Sequence, residues 1–243
     1  MRIIKLDAID STNDFLKSMS NDQFLENFTV VTAQTQTNGK GQMGSQWVSE
    51  TGKNLIMSIL LKEVVPDIHQ IYTLNIAVAL AINLVLDDYN IPKLSIKWPN
   101  DIMSDDKKIG GILIENTIRK DGSIISIVGI GLNVNQTNFE HLPKASSLSV
   151  IKMIEFDTNE LLHKIVKAVK FYMDHISNQE TVDLWDLYNQ KLFKKGIPMP
   201  FKIQNERPFM GIIKAVDPFG KLLLQLEDDS IQSFEIKAIQ MLY

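Results

Sequence analysis

Cysteine is absent from this sequence of 243 residues. That excludes disulfides, thiolate metal sites and a cysteine nucleophile, and it fits a reducing compartment. Long apolar runs are also missing, since no window approaches the roughly 18 uninterrupted apolar residues of a membrane-spanning helix. The first residues, Met1-Arg2-Ile3-Ile4-Lys5-Leu6-Asp7, meet a charge too soon for the apolar run of a secretory signal. The cytoplasm is therefore the expected location, with no membrane partner. Basic charge is scarce: 25 Lys and Arg against 29 Asp and Glu give a formal net charge of −4, with a pI near 5.6. The clusters Lys107-Lys108 and Lys194-Lys195 are short. A protein that lives on a phosphate backbone carries a basic face, so nucleic acid is not an expected partner. Nor do the four histidines, His69, His141, His163 and His175, make a ligand cluster or support a Ser-His-Asp set. No internal repeat or low-complexity segment occurs.

What is present is ordinary for a globular chain, with 44% hydrophobic and 22% charged residues. The length allows one large domain, or a large and a small one, with a core that needs no staples. Ile3 to Leu6 suits a short strand. Ser11 is a candidate N-cap for a helix through Met19, with Asp14 in its first turn. Phe28 to Gln36 and Asn54 to Leu61 predict strands flanking a polar loop over Thr37 to Ser49. Ile71, Leu74, Ala77, Val78, Ala81, Ile82 and Val85 recur at helical spacing within His69 to Leu86. Leu94 to Trp98 predicts a short strand. Ile109 to Thr117 and Ser123 to Val134 predict a hairpin turned by Lys120-Asp121-Gly122. The Ser123 strand, placed at an edge, would allow a homodimer to pair across a two-fold axis. Two helices come next, over Thr158 to Ser177 and Gln179 to Lys195, with Trp185 and Tyr188 one turn apart and expected to pack against a small C-terminal domain. Gly196 and Pro198 then change the pattern to short strands, turned at Asn205-Glu206, Pro218-Phe219-Gly220 and Asp228-Asp229. The expected fold is α+β, a mixed, mostly antiparallel sheet with helices over 1–195, plus a small C-terminal β-barrel over 196–243.

Three segments carry chemistry. Gly39-Lys40-Gly41-Gln42-Met43-Gly44 has the spacing of a dinucleotide fingerprint, but it leads through Trp47 and Gly52 toward a strand. No helix opens there to face a pyrophosphate. A plain turn would suit it; so would a loop whose N–H groups and Lys40 wrap an anion, which is the reading preferred. Lys97-Trp98-Pro99-Asn100-Asp101 precedes Lys108-Ile109-Gly110-Gly111-Ile112-Leu113-Ile114-Glu115. Asn100 and Asp101 leave a strand end with oxygens suited to magnesium, and Lys108 opens an otherwise apolar strand. The glycine pair alone suggests packing. Gly129-Ile130-Gly131-Leu132-Asn133 places glycines inside a strand, explained by a bulge or by a close approach to the backbone. Trp47 and Trp98 suit the core first and a pocket wall second.

Taken in order, Asp10-Ser11-Thr12-Asn13, Gln34-Thr35-Gln36-Thr37, the glycine loop to Trp47, the Lys97 run, the Lys108 run and the Gly129 run resemble the biotin–protein ligase family. Gly211 and Asp217-Pro218-Phe219-Gly220 resemble that family's small SH3-like domain. The resemblance implies a class II synthetase-like ligase core that joins biotin to ATP and passes it to a lysine of a carboxylase's biotin carboxyl carrier domain. It also implies sites. Ser11, Thr12 and Gln36 would bond the ureido head of biotin, with Asn13, Lys40, Gly41, Gln42, Gly111, Gly129 and Gly131 around it, and Lys108 would meet its carboxylate. Gly39, Lys40, Trp47, Asn100, Lys108, Asn133, Ala145 and Ser147 would bind ATP. Asp101 and Asn133 would meet magnesium, with no metal tightly bound, and Lys108, Asp101 and Lys40 would be catalytic. The family's loop usually reads Gly-Arg-Gly-Arg-x-Gly; here Lys40 keeps a charge without the bidentate fork, and Gln42 keeps none. The resemblance begins at residue 10, which leaves no room for the N-terminal DNA-binding domain of some members.

A lipoate ligase or octanoyltransferase is the nearest rival, but a dithiolane or alkyl tail needs no polar set like Ser11, Thr12 and Gln36, and the transferase expects a cysteine. A non-catalytic sensor would have lost Lys108 or the Asn100-Asp101 pair.

Overall fold

The computed structural model describes residues 1–64, 70–177 and 182–243. The chain begins with a strand–helix–strand unit: β1 Ile3–Ile9, α1 Thr12–Asp22 and β2 Val30–Gln36, with β1 and β2 parallel. Ser11 caps α1, its hydroxyl accepting the Asp14 N–H at 3.3 Å, which satisfies one of the helix's orphan donors. The remaining strands of the large sheet are antiparallel: β3 Leu55–Lys62, β4 Leu94–Lys97, β5 Asp101–Ser104, β6 Lys107–Ile118 and β7 Ile124–Leu132. Their spatial order is β1-β2-β3-β7-β6-β5-β4.

Strand alternation sends the two faces to different layers. Met57, Ile59 and Leu61 of β3, with Val128 and Ile130 of β7, join the main core under α2 Ile71–Asp88 and α4 Thr158–Ser177. Leu60, Ile125 and Ile127 face the other way and pack on Leu16 of α1. That second layer is short. Beyond α1 the same face offers Ile56 and Ser58, Gly129 and Gly131, and Gly111 and Leu113, side by side across three strands. Only the first turn of α1 reaches over them, through Thr12 and Asn13, and the site lies in the space that remains. By length and composition alone α2 could cross a membrane, but 72% of it is buried inside the chain, so it is the core helix of the large layer.

α3 Leu148–Lys152 and α5 Val182–Gln190 lead to the small sheet, built of β8 Pro198–Ile203, β9 Phe209–Val216, β10 Leu222–Gln225, β11 Ile231–Phe234 and β12 Ile239–Met241 in the order β11-β10-β9-β8-β12. The three predicted turns all fall between its strands, with Asn205, Gly220 and Asp229 at positive φ. This sheet docks beside β4. Ile96 bridges to Leu192, Trp98 Nε1 donates to Gly220 O at 2.9 Å, and Asn189 bonds both polar groups of the Val216 backbone. Trp185 and Tyr188 of α5 pack on Tyr72 of α2, which itself lies against Gly220 of the small sheet's turn.

Two expectations change. β7 lies between β3 and β6, so it has no free edge to pair across a two-fold axis. β5 and α3, at four and five residues, were not expected. The predicted helix starts at His69 and Gln179 lie outside the described residues.

Candidate active site

The glycine face of the large sheet floors a cavity of about 470 Å³. Two of its glycines, Gly129 and Gly131, make room for something definite. A Cβ at Gly129 would stand 2.5 Å from Asn13 Oδ1, and one at Gly131 would stand 2.6 Å from Cε2 of Trp47. Both are closer than real Cβ contacts, so the strand glycines are close-approach positions. Gly110 faces the core side, where a Cβ would meet Gly131 O at 3.0 Å; it is the packing member of its pair.

One end of the cavity is neutral and polar. It is built on the N-terminus of α1, whose Ser11, Thr12 and Asn13 are all buried. The Thr12 N–H donates to Gln36 Oε1 at 2.7 Å. The Thr12 hydroxyl lies 3.0 Å from that same oxygen and 2.8 Å from Ser58 Oγ. Ser58 donates to Asn13 Oδ1 at 2.6 Å, and Asn13 Nδ2 donates to Glu115 Oε2 at 2.9 Å. A largely buried network of linked hydrogen bonds is rigid.

The opposite end is charged. Lys108 Nζ lies 2.5 Å from Asp101 Oδ1, and Lys97 Nζ lies 3.3 Å from Asp101 Oδ2. The side chains of Asp101 and Lys97 are only 15% and 20% exposed, so solvent screens the pair weakly. Cis Pro99 separates Lys97 from Asn100 and Asp101. Asn100 is spent on structure, its Nδ2 donating to Ile112 O at 2.7 Å.

Between the ends runs the glycine loop. It makes one 3-10 turn, Gln42–Gly44, and then a bridge from Lys40 to Gln46. No helix opens there, which disposes of the dinucleotide geometry. Lys40 does not reach the charged end; its ammonium pairs with Asp14 of α1 at 2.6 Å, and that hydrogen bond holds its pKa above the ordinary 10.5. Trp47 is a cavity wall: its ring stands over Gly131, with Lys108 Nζ 5.9 Å from the ring centre.

The cavity brings together Ser11, Thr12, Asn13, Gln36, Lys40, Gly41, Gln42, Lys108, Gly111, Gly129 and Gly131, and it also holds Trp47, Asn100 and Asp101. Gly39, Asn133, Ala145 and Ser147 stand outside its lining. Asn133 Nδ2 donates to Ser146 O at 3.0 Å, and Ser147 caps α3. Both Asp101 oxygens face lysines, and the Asn133 amide is held by the Ser146 carbonyl, so each side chain already has a protein partner in this structure. Sequence reasoning missed Ser58, Lys97 and Gln240 of the small sheet, which also line the cavity or its polar end. Ser58 had a signal, a lone hydroxyl inside the apolar run Asn54 to Leu61; Gln240 had none.

A family model described as Biotin/lipoate A/B protein ligase family matches residues 6–135. The bifunctional ligase/repressor BirA of Bacillus spizizenii is 30% identical over 233 residues, which cover 93% of this chain and 70% of that protein. The biotin–[acetyl-CoA-carboxylase] ligase of Mycobacterium tuberculosis is 25% identical over 200 residues, covering 81% and 73%. Among solved structures, the biotin protein ligase of Aquifex aeolicus in complex with biotin and ATP aligns over 99% of this chain and 98% of that one, at 25% identity and a TM-score of 0.81.

Proposed function

This chain belongs to the biotin/lipoate A/B protein ligase family, and from that premise we propose how its cavity works as a biotin–protein ligase. The enzyme activates biotin with ATP to biotinyl-5′-AMP and transfers the biotinyl group to a lysine of a carboxylase. The observation that carries our assignment of residues is the arrangement of the cavity: a neutral hydrogen-bonding end at Thr12 and Gln36, and an ionic end at Lys108 and Asp101, joined by the glycine floor. Biotin has the same polarity, a ureido ring at one end and a carboxylate at the other.

In the first step a carboxylate oxygen attacks the α-phosphorus, an O–P bond forms and pyrophosphate leaves. Two anions must meet. Lys108 turns from Asp101 to the incoming carboxylate and stabilises the charge of the transfer. Lys97 remains to compensate Asp101. Trp47 and the loop from Gly39 to Gly44 close over the mixed anhydride and keep water from it. In the second step the acceptor amine attacks the acyl carbon, the C–N bond forms, the C–O bond to AMP breaks and the amine gives up a proton. Asp101 positions that amine and takes the proton. The carrier domain of the carboxylase supplies the lysine. It approaches by an adjoining cavity of about 510 Å³, which shares Lys97, Pro99 and Gln240 with the site and is otherwise lined largely by the small sheet. In this reading residues 1–195 hold the chemistry and 196–243 help to shape the second substrate's entrance.

ATP–pyrophosphate exchange with biotin, lipoate and octanoate offered separately tests the assignment. Exchange should depend on biotin. Exchange with lipoate instead would refute the assignment of the polar end to a ureido ring.

A further inference from the structure

The motif that opens at Lys108 closes at Glu115, and the chemistry above gives that carboxylate no task. Glu115 lies on β6, on the site face with Gly111 and Leu113. Its Oε2 is 2.9 Å from Asn13 Nδ2, which also donates to Leu113 O at 3.4 Å. Both partners can only accept, so the Asn13 amide must turn its NH₂ toward them and its oxygen toward Ser58. The glycine at position 129 leaves room for the amide in this orientation.

The consequence passes along the chain. Ser58 commits its single proton to Asn13 Oδ1 at 2.6 Å. Three contacts link Gln36, Thr12, Ser58 and Asn13 through hydroxyls, but only two hydroxyl protons are available to fill them. With Ser58 committed, the Thr12 proton has two acceptors in reach, Ser58 Oγ at 2.8 Å and Gln36 Oε1 at 3.0 Å, and it goes to the shorter contact, because Gln36 Oε1 already accepts the Thr12 N–H. Thr12 Oγ1 then keeps a lone pair for the cavity. Gln36 Oε1 is occupied by the Thr12 N–H at 2.7 Å, which turns the Gln36 NH₂ away from Thr12. The ionised carboxylate at the end of the relay favours this direction, because hydrogen bonds to charge are stronger and chains of them polarise one another.

We propose that Glu115 is a positioning residue: through Asn13 and Ser58 it orients the Thr12 hydroxyl proton away from the cavity, so that the polar end presents an acceptor at Thr12 Oγ1 beside a donor at Gln36 Nε2. A cyclic urea, with N–H and C=O adjacent, is the complement of that pair. The inference rests on the ligase reading and deepens it by naming the hydrogen-bond polarity that selects the ureido ring. Without Glu115 only the long 3.4 Å contact to Leu113 O still holds the Asn13 amide; when the amide turns over, Ser58 reverses and the Thr12 proton passes to Gln36.

The test is ATP–pyrophosphate exchange with biotin and with the two cyclic carbamates in which one ureido N–H is replaced by oxygen. The wild type should prefer biotin over one of them by about tenfold, the worth of one hydrogen bond together with the acceptor left unpaired. Glu115→Leu should raise the KM for biotin about 3- to 10-fold and hold kcat within about twofold, with the preference reduced to about twofold. Glu115→Gln, which keeps the acceptor, should restore both. Ser58→Ala removes the relay's central hydroxyl with a small change in volume; it should reproduce the kinetic pattern of Glu115→Leu and serves if that variant does not fold. Wild-type preference surviving in either disrupted variant overturns the proposal. So does an equal loss of kcat on biotin and carbamate, or a wild type indifferent to the carbamates. A wild type with no biotin-dependent exchange would bring down the ligase reading itself, which is a separate failure.

Discussion

Alanine at Gly129 and alanine at Gly131 add the same methyl group to the same face of β7, and the structure predicts different results. At Gly129 the new carbon would lie 2.5 Å from Asn13 Oδ1, with the rest of that amide at 3.1 and 3.2 Å. The amide would have to retreat by about 1 Å to reach ordinary contact. It is buried and held by the 2.6 and 2.9 Å bonds to Ser58 and Glu115. Breaking one or both costs about 1–3 kcal/mol, and for a chain of this size that lowers Tm by roughly 2–10 °C. The KM for biotin should rise about tenfold, since Thr12 loses its support. At Gly131 the obstacle is the Trp47 ring, 2.6 Å away at its nearest atom. That ring sits on a loop and is partly exposed, and its Nε1 has no hydrogen-bond partner. It can swing aside. Gly131→Ala should therefore keep Tm within about 2 °C and instead raise the KM for ATP. Thermal melts and exchange kinetics read both variants. A Gly129→Ala protein with wild-type Tm and biotin affinity would refute this reading of the floor, as would a Gly131→Ala protein destabilised just as much.

Three further perturbations probe the neighbouring contacts. Asp101→Asn should slow transfer from preformed biotinyl-5′-AMP by about 100-fold or more, and normal transfer would remove Asp101 from the second step. Asp14→Asn should free Lys40 and speed proteolysis within residues 40–47 while costing less than about 1 kcal/mol, because the pair is largely exposed. The folded pKa of Lys40 is raised above 10.5, so the pair's contribution is complete at neutral pH and is lost only as pH climbs past that value; cleavage of the wild-type loop should not respond to this group between about pH 6 and 9, and a response tracking Lys40 there would contradict the assignment. Gly220→Ala puts a side chain at φ +84°, with its methyl 2.4 Å from the ring of Tyr72. It should cost at least about 1–3 kcal/mol, and an unchanged urea midpoint would contradict the docking of the small sheet.

Local rules were sufficient where local chemistry decides. Ser11 as a cap, the helical spacing from Ile71 to Val85 and the Asp121-Gly122 turn all depend on neighbours in sequence, and all were readable. The glycines at 129 and 131 left a bulge and a close approach equally open in the sequence, and what approached was not readable, because Asn13 and Trp47 come from distant segments. Asn100 shows the converse. Its place in a motif suggested the nucleotide, and the fold does put it in the cavity lining, but no local pattern announced that its amide also ties down Ile112. β5 is a four-residue strand directly after the Pro99 turn, too short for alternation to declare itself. The position of β7 in the sheet is set by β3, which pairs with it along its whole length. No periodicity within β7 could reveal that. Gln240 reaches the cavity only because the small sheet docks beside β4, a contact made by Trp98 and Asn189 with no local signature.

The central claim is that Lys108 receives the biotin carboxylate for attack on ATP. Biotin-dependent ATP–pyrophosphate exchange in wild type and in Lys108→Ala tests it most directly, with transfer from preformed biotinyl-5′-AMP measured alongside. The account predicts that exchange falls by about 100-fold or more in the variant while transfer from the preformed adenylate falls much less. Exchange within about twofold of wild type in Lys108→Ala would contradict it.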